Sequence, residues 1–451
     1  MAQQPKLTVS GYRGIWGETL TAEIAQRYAS AFAHFVIAEQ GAHPTILIAR
    51  DGRESGPEIK KGIIETLSSL GIQIIDGDIL PTPTVLFAVR THEYDGAIII
   101  TASHNPIEYN GLKFVTHTAL FTNEDEVANI QKRYGENKNT ETIEKGTVTE
   151  NTTLGQEHIS EIITHINSEK IRARKFKVAV DMINASACVL DPLLFEALGV
   201  ELIPLNNIPN GKFAHKPEPL RENLADIAQL VKESGADIGF AQDPDADRLV
   251  VIDRYGEIIS EEYTLALGVE AVLSKHHGET VVINMSTSQM NADIAEKYNG
   301  TCVRTKVGEA NVVAGIMEHT AIIGGEGGGG IIYPHINTAR DSFTSMALIL
   351  ALCAEREAYI DEIISSLPHY EMRKDKIPQI GTPDVMYRNM KEHFKNSKVN
   401  ELDGLRLDFS DKSWIHLRPS NTEPIIRLIG EAQTKERIDT LFEETKKLLA
   451  L

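Results

Sequence analysis

The feature that most constrains the fold of this chain is a repeated alternation between short apolar runs and longer amphipathic segments. The first round predicts a helix from Thr21 to Gln40 and a strand from Thr45 to Ala49, and a capping-box pattern beginning at Ser55 opens the next helix. Strands and helices that alternate at this spacing form a mostly parallel sheet with both faces covered. We therefore predict an α/β architecture.

The same alternation restarts twice along the chain. A polar stretch at about residues 135 to 175, with a predicted helix at 154 to 166, is interpreted as a linker. The last segment instead has three closely spaced strands and a final amphipathic helix, Lys435 to Leu451, which is typical of an α+β domain. Because 451 residues are too many for one core, we predict three tandem mixed-sheet α/β domains at 1–150, 151–257 and 258–370, and a C-terminal α+β domain at 371–451.

Charge and composition narrow the range of functions. A net charge of −19 disfavours a nucleic-acid partner, and it requires local basic loops if the substrate is an anion. Cys188, Cys302 and Cys353 are widely separated, so neither a disulfide framework nor a thiolate zinc site is predicted. The amino terminus lacks the apolar core of a secretory signal, and the longest apolar run, Met346 to Ala354, is about half the length that a bilayer requires. We expect a cytoplasmic protein without membrane contact.

A serine loop follows the most apolar strand of the first domain. The sequence Thr101-Ala-Ser103-His104-Asn-Pro106 comes directly after Ala97-Ile-Ile-Ile100. Open α/β sheets keep their chemistry at such strand ends, and Pro106 stiffens the loop that presents the Ser103 hydroxyl. The simpler interpretation is a loop serine that caps a helix.

Three aspartates occupy alternate positions of a later loop. Asp243, Asp245 and Asp247 follow a predicted strand and can converge on one hard divalent cation, for which Mg²⁺ is the best candidate. A calcium EF-hand is excluded because Arg248 and Arg254 stand where its glycine and its bidentate glutamate belong. The alternative is an acidic surface turn.

A glycine-rich loop, Gly324 to Gly330, surrounds the single carboxylate of Glu326. It formally matches G-x-G-x-x-G, but Ile331-Ile-Tyr-Pro334 after it cannot begin the helix that a dinucleotide site needs. Glu326 on a loop of low bulk is suited to accepting hydrogen bonds from vicinal sugar hydroxyls. A plain tight turn is the alternative.

The last distinctive loop combines a guanidinium with hydroxyl and amide groups. Arg418, Ser420, Asn421 and Thr422 form a cluster of the kind that binds phosphate without a P-loop, and no P-loop motif occurs in the chain. The alternative is a capped hairpin turn. Arg13, between glycines near the amino terminus, would by itself be interpreted as a solvated arginine.

Together these four loops resemble those of the α-D-phosphohexomutases, the superfamily of phosphoglucomutase, phosphomannomutase and phosphoglucosamine mutase. The motifs are TASHNP, DPDADR, GGEGGGG and RPSNTEP, and the resemblance extends over nearly the whole chain. It implies four domains arranged around one central cleft, with one loop from each domain. It also implies a phosphoserine and a 1,6-bisphosphate of glucose or of a hexosamine as intermediate and activator.

The resemblance assigns a role to each motif residue. Ser103 would be the phosphoserine, and its phosphate would share Mg²⁺ with Asp243, Asp245 and Asp247. Lys113 is the general acid/base candidate, a role that requires a lowered pKa. The remaining assignments are Arg13, His104 and Arg248 near the transferred phosphoryl group, Glu326 and Gly328 at the sugar, and Arg418, Ser420, Asn421, Thr422 and Arg427 at the distal phosphate.

The chain departs from the family pattern in the sugar loop. Many members have Glu-x-Ser-Gly-His, whereas this chain has Gly328 and Gly330 at the serine and histidine positions. This loop, with Val307-Gly-Glu309 before it and Arg340-Asp341 after it, most resembles the phosphoglucosamine mutase branch. The expected reaction converts glucosamine 6-phosphate to glucosamine 1-phosphate, with a phosphomannomutase/phosphoglucomutase of dual specificity as the alternative. We expect a hexose phosphate as the only partner class, and a monomer or homodimer.

Two rival functions remain to be considered. In a phosphatase of the haloacid-dehalogenase type, Asp243 would be the nucleophile and Asp245 the acid/base, but such sites expect Thr or Val where Asp247 stands. A non-catalytic sugar-phosphate-binding protein would have kept the cleft without the chemistry. The presence of Ser103, Lys113 and the three aspartates argues against it.

Overall fold

The computed structural model describes residues 5–136, 144–379, 382–419 and 425–449. The chain divides into two compact units: unit 1 comprises Met1–Thr264 and Gly328–Glu362, and unit 2 comprises Leu265–Gly327 and Ile363–Leu451. Among the described residues, no helix is both long enough and apolar enough to cross a membrane.

Unit 1 begins with a six-stranded mixed sheet in the order β1-β5-β4-β2-β3-β6. The strands are β1 (Tyr12–Ile15), β2 (Thr45–Arg50), β3 (Gln73–Ile79), β4 (Gly96–Ile100), β5 (Tyr109–Thr116) and β6 (Val148–Glu150). β2 pairs in parallel with β3 and β4, whereas β5 runs antiparallel to both β4 and β1. The serine loop is therefore the turn that reverses the chain between β4 and β5.

Helices cover both faces of this sheet. They are α1 (Ala22–Gln40), α2 (Gly56–Ser69), α3 (Thr82–Thr91) and α4 (Glu124–Glu136). Side chains of a strand point to alternate faces, so Ile46 and Ile48 of β2 join a core cluster with α1, α2 and α4. Leu47 and Ala49 join the opposite cluster with α3. The predicted two-sided burial is confirmed.

The second sheet of unit 1 has the order β10-β9-β7-β8. Its strands are β7 (Lys177–Asp181), β8 (Glu201–Leu205), β9 (Ile238–Gln242) and β10 (Leu249–Asp253). The first three run parallel and β10 returns antiparallel beside β9, so the aspartate loop is the β9–β10 connection. The helices of this part of the chain are α5 (Leu154–His165), α6 (Ser168–Arg174), α7 (Asp191–Leu198) and α8 (Ala225–Ser234). The later segment adds β14 (Gly330–Ile332) and α12 (Ser342–Arg356), which is buried over most of its length.

Unit 2 contains two kinds of sheet. β11 (Thr280–Asn284) lies between β12 (Thr301–Thr305) and β13 (Ile323–Glu326), and it is parallel to both. The C-terminal sheet is antiparallel, in the order β15-β19-β18-β17-β16. Its strands are β15 (Glu371–Pro378), β16 (Lys398–Asn400), β17 (Leu405–Asp408), β18 (Trp414–Pro419) and β19 (Ile425–Ala432). The helices of the third and fourth domains outside α12 are α9 (Glu262–Leu273), α10 (Met290–Lys297), α11 (Glu309–His319), α13 (Ile360–Ser365), α14 (Pro383–His393) and α15 (Lys435–Leu448).

The predicted class, three α/β domains followed by an α+β domain, is confirmed, and three local predictions are corrected. Ser55 makes no side-chain capping hydrogen bond among the described residues, because its backbone is already helical (φ −76°, ψ −14°). The sequence Pro81-Thr82-Pro83 predicts a loop, but Thr82 begins α3. The linker predicted at about 135 to 175 contains β6, which pairs with β3, and α6, while the helix predicted within it at 154 to 166 is confirmed as α5.

Candidate active site

The serine loop is held in a constrained conformation at the end of β4. Ser103 is 2% exposed and has φ +49°, a left-handed value that costs a non-glycine residue about 1 to 2 kcal/mol. Its backbone N–H donates to Thr101 Oγ1 at 2.9 Å, and the Thr101 hydroxyl donates in turn to Asp51 Oδ2 at 2.7 Å. This relay holds the strained serine in place.

The Ser103 hydroxyl lies against the aspartate loop. Ser103 Oγ is 3.3 Å from Asp243 Oδ2 and 3.2 Å from His104 Nδ1. Burial, followed by the charges of Arg248 and Arg13, lowers the pKa of His104 to about 3. His104 is therefore a neutral imidazole at pH 7, within reach of the hydroxyl.

The three aspartates form one buried cluster, as their spacing predicts. Each of Asp243, Asp245 and Asp247 offers a carboxylate oxygen within 4.8 Å of those of the other two, and all three are at most 1% exposed. Burial, then the charges of Asp247 and Asp245, raises the pKa of Asp243 well above its usual range. The pKa of Asp245 is lowered: burial raises it, but the charge and hydrogen bond of Lys113 outweigh that effect.

One oxygen of each carboxylate is anchored to the protein. Asp243 Oδ1 accepts the N–H groups of Asp247 and Arg248 at 3.1 Å. Asp245 Oδ2 accepts Lys113 Nζ at 2.6 Å and Thr82 Oγ1 at 2.8 Å. Asp247 Oδ2 accepts Arg340 Nη2 at 2.6 Å.

The other oxygens fit a divalent cation. Asp245 Oδ1 and Asp247 Oδ1 are buried without a hydrogen-bond donor among the described residues, and Asp243 Oδ2 faces Ser103 Oγ. Buried carboxylate oxygens without donors are costly unless an ion or water satisfies them. These two oxygens and Asp243 Oδ2, which accepts from the Ser103 hydroxyl, form a hard, anionic donor set of the kind that Mg²⁺ prefers.

Four cationic side chains surround this cluster. Besides Lys113 and Arg340, Arg248 Nε lies 3.8 Å from Asp247 Oδ1, and Arg13 Nη1 donates to Asn105 Oδ1 of the serine loop at 2.9 Å. Burial lowers the pKa of Lys113, but the charges of Asp245 and Asp247 outweigh it, and the net shift is upward. The lowered pKa expected for this lysine is therefore not found in this arrangement.

Two residues of this site were missed by the sequence analysis as site residues. Thr82 donates to Asp245, and Arg340 pairs with Asp247, from positions distant in sequence. The only signal for Thr82 was its position after Pro81, which is compatible with a helix start. Arg340 was noticed only as part of a motif.

The sugar-loop carboxylate lies in unit 2, at the end of β13. Glu326 Oε1 accepts Asn284 Nδ2 at 2.9 Å and the N–H of Gly308 at 3.1 Å. The Val307-Gly-Glu309 motif thus supports Glu326. A Cβ on Gly328 would meet its nearest described atom, Arg248 Nη1, only at 4.0 Å, whereas a Cβ on Gly330 would lie 2.2 Å from Arg340 Cδ.

The phosphate-loop arginines also lie in unit 2. Arg418 Nε pairs with Asp403 Oδ2 at 3.0 Å, and Asp403 Oδ2 also accepts the N–H of Val307 at 2.8 Å. Arg418 and Arg427 are directly opposite in the β18–β19 register. Like charges directly opposite each other are unfavourable, and the Asp403 carboxylate offsets the charge of Arg418. The predicted residues Ser420, Asn421 and Thr422 lie outside the described residues.

Comparisons with known proteins cover nearly the entire chain. Four sequence models match: phosphoglucomutase/phosphomannomutase alpha/beta/alpha domain I at residues 5–141, domain II at 156–256, domain III at 260–370 and the C-terminal domain at 382–448. A phosphoglucomutase/phosphomannomutase of Thermococcus kodakarensis is 34% identical over 447 residues, with 97% of each chain covered.

A second relative and a solved structure show similarity to the same family. A probable phosphoglucosamine mutase of Methanopyrus kandleri is 31% identical over 442 residues, covering 96% of this chain and 95% of the relative. The crystal structure of a phosphoglucomutase/phosphomannomutase family protein from Burkholderia thailandensis superposes with a TM-score of 0.86 at 28% identity, covering 99% of this chain and 98% of the other.

Proposed function

We propose, since this chain belongs to the phosphoglucomutase/phosphomannomutase family and is a phosphohexomutase, that its preferred reaction interconverts glucosamine 6-phosphate and glucosamine 1-phosphate. The observation that carries the phosphoryl-transfer part is the Ser103 hydroxyl, 3.3 Å from Asp243 in a cluster of carboxylates and cations. The glycines at 328 and 330 and the Gly308 contact to Glu326 support the choice of sugar.

Ser103 would carry the phosphoryl group. In the first half-reaction a free hydroxyl of the sugar phosphate attacks the phosphorus, the bond from phosphorus to Ser103 Oγ breaks, and the hydroxyl proton passes to Ser103 Oγ through the acid/base groups. The bound 1,6-bisphosphate then turns end for end. In the second half, Ser103 Oγ attacks the other phosphate and gives its proton to the departing sugar oxygen.

Two side chains would assist that proton transfer. His104 Nδ1 lies 3.2 Å from Ser103 Oγ, and its neutral imidazole would accept a hydrogen bond from the hydroxyl and orient it. Lys113, whose pKa is raised, would enter the cycle as an ammonium and therefore as a proton donor. Arg13 and Arg248 would bind the oxygens of the phosphoryl group in transit.

Asp243, Asp245 and Asp247, together with the Ser103 phosphate, would hold Mg²⁺. The chemistry that Mg²⁺ supplies when bound is to offset negative charge on the transferring phosphoryl group, worth several kcal/mol as an order of magnitude. Arg340 and Lys113 would keep two of the carboxylates oriented. Glu326 would accept hydrogen bonds from sugar hydroxyls, and Arg418 and Arg427 would bind the distal phosphate.

The phosphoserine is tested by mass spectrometry of the purified protein after incubation with glucose 1,6-bisphosphate. We expect one phosphate on the peptide that contains Ser103, and neither label nor turnover in Ser103→Ala. Phosphate on an Asp243 peptide, with Ser103 unmodified, would support the haloacid-dehalogenase mechanism instead.

The sugar is tested by comparing kcat/KM for the 6-phosphates of glucosamine, glucose, mannose and N-acetylglucosamine. We expect glucosamine 6-phosphate to lead by at least about tenfold, which corresponds to only about 1.4 kcal/mol. The second candidate is a phosphomannomutase/phosphoglucomutase of dual specificity, which the name of the Thermococcus kodakarensis relative favours. Equal kcat/KM for glucose and mannose phosphates, both above glucosamine phosphate, would select it.

A further inference from the structure

Arg53, in the loop after β2, is 1% exposed, and all five N–H groups of its guanidinium are used. The acceptors are Asp51 Oδ2 for Nε, the carbonyl oxygens of Pro106 and Tyr109 for Nη1, and those of Ser103 and Asn105 for Nη2, at 2.6 to 3.0 Å. Four of the five bonds therefore end on the backbone of the serine loop.

The serine loop needs hydrogen-bond donors at its centre. The carbonyls of Ser103, Asn105, Pro106 and Tyr109 converge on one buried point, where their negative ends would repel one another without a donor between them. Inside the loop, backbone hydrogen bonds run from Asn105 N–H to Ala102 O and from Tyr109 N–H to Pro106 O. The guanidinium thus adds four hydrogen bonds to those that the loop makes within itself.

Arg53 is itself held by the domain that carries the aspartates. Its guanidinium carbon lies 4.9 Å from the centroid of the Phe213 ring, a cation–π distance. The backbones approach closely nearby, because a Cβ on Gly211 would lie 2.2 Å from Gly52 O. His215 Nε2 contacts Asp181 Oδ2 at 3.0 Å and fixes the segment that carries Phe213.

We propose that Arg53 is a positioning residue that holds Ser103 Oγ in register with Asp243, and that Phe213 supports it. The proposal rests on the proposed function, in which Ser103 carries the phosphoryl group. Arg53 acts through the loop backbone, and its five bonds leave no donor for substrate. A lysine keeps the charge but has three donors on one nitrogen, so it cannot reach the same five acceptors.

The test compares Arg53→Lys with Arg27→Lys. Arg27 is a matched control: it is half-buried in the same domain, stacks 4.2 Å from the Tyr134 ring and donates to the Tyr134 carbonyl, away from the serine loop. We expect Arg53→Lys to lower kcat by about 100-fold, the scale of a small misplacement of reacting groups, with KM unchanged. Amide hydrogen exchange over residues 101–112 should accelerate in the same variant, and Arg27→Lys should change neither quantity.

A second variant keeps the proposal testable if Arg53→Lys does not fold. Phe213→Leu removes the ring above the guanidinium, and we expect kcat to fall by about threefold to tenfold. Tyr134→Leu, which removes the ring over which Arg27 lies, should leave kcat unchanged. If the wild type is active, an unchanged kcat or an unchanged rate of loop amide exchange in Arg53→Lys would overturn the proposal. If Arg53→Lys does not fold, an unchanged kcat in Phe213→Leu would overturn it. A wild type inactive on every hexose phosphate would instead count against the proposed function, and loop exchange alone would then decide the role of Arg53.

Discussion

At the scale of single residues, the two oxygens of each carboxylate in the aspartate cluster have different contacts. One oxygen of Asp243, Asp245 and Asp247 is held by a backbone or side-chain donor; the second oxygens of Asp245 and Asp247 have no donor among the described residues, and that of Asp243 accepts from the Ser103 hydroxyl. Groups that bind the held oxygen therefore set the direction of the free one. Such outer contacts commonly change metal affinity or activity by about 10 to 100-fold when they are lost.

Thr82 provides the sharpest test of this division. Thr82→Val removes the hydroxyl that donates to Asp245 Oδ2 while keeping the shape of the side chain. We expect the Mg²⁺ concentration for half-maximal activity to rise by about tenfold or more, measured by metal titration of the rate. Thr84→Val is the control, because Thr84 is equally buried in α3 but its hydroxyl contacts His158. An unchanged Mg²⁺ requirement in Thr82→Val would contradict this role.

Gly330 makes room for Arg340. Because a Cβ at this position would lie 2.2 Å from Arg340 Cδ, Gly330→Ala should displace that side chain and lower the free energy of unfolding by about 1 to 3 kcal/mol. Gly328→Ala, where the nearest described atom is 4.0 Å away, should stay within about 0.5 kcal/mol of wild type. Thermal or urea unfolding measures both changes.

The same substitution in an Arg340→Ala background isolates the cause. With the arginine side chain shortened, Gly330→Ala should lower the free energy of unfolding only slightly. The effects of the two substitutions on this free energy should therefore be strongly non-additive. Additive costs would show that the glycine is required for another reason.

The sequence could predict the parts of the site that lie within one loop, but not the partners that arrive from elsewhere. Asp243, Asp245 and Asp247 occupy alternate positions of one loop, so their convergence followed from spacing, and the structure places them together. Thr82 and Arg53 do not belong to a recognisable sequence motif. The contact of Thr82 is 163 residues away in sequence, and the loop contacts of Arg53 are 50 to 56 residues away. The pKa of Lys113 depends on the balance between burial and two carboxylates, which spacing cannot reveal.

At the scale of elements, an ion pair between His215 and Asp181 is one of the contacts that hold the segment after β8. His215 Nε2 lies 3.0 Å from Asp181 Oδ2, and its Nδ1 contacts the carbonyl of Lys216. Burial lowers the pKa of His215, but Asp181, the Lys216 carbonyl and the charge of Asp226 outweigh it, and the net shift is upward.

The sign of the pH dependence follows from this raised pKa. The pair contributes stability that is fully present below the ordinary histidine pKa of 6.5 and is lost as the pH rises through the folded-state value. The difference in unfolding free energy between wild type and His215→Gln should therefore be larger at pH 6 than at pH 9, measured by urea unfolding. His92→Gln, which alters an ion pair with Glu157 at the surface, controls for loss of a histidine. A difference in unfolding free energy between wild type and His215→Gln that is the same at pH 6 and pH 9 would contradict this prediction.

The sequence predicted helices and strands well where an apolar or amphipathic segment has clear ends. It failed where polar side chains interrupt the apolar pattern of a strand. α1 (Ala22–Gln40) and β2 (Thr45–Arg50) each match the predicted bounds, Thr21 to Gln40 and Thr45 to Ala49, to within one residue. β5 was not predicted as a strand, because Asn110 and Lys113 interrupt its apolar run, although both are buried. β15 was missed for a similar reason, since five of its eight residues are charged.

At the scale of the whole molecule, the proposed Mg²⁺ site lies within unit 1 alone. A ligand stabilises what it binds by about 2.7 kcal/mol at one hundred times its dissociation constant. We expect saturating Mg²⁺ to slow amide exchange in β4, β9 and β10 but not in the strands of the C-terminal sheet. Asp247→Asn should abolish the effect, and slowing of equal size in both units would refute it.

Unit 1 is discontinuous in sequence, and this has a consequence for its synthesis. Arg340 follows its partner Asp247 by 93 residues, and all of Leu265–Gly327 is made between them. At about 5 to 20 residues per second, a ribosome therefore exposes Asp247 several seconds before the guanidinium that pairs with it emerges. During that interval we expect Asp247 of the nascent chain to rely on cellular cations for the charge that Arg340 supplies in the finished protein.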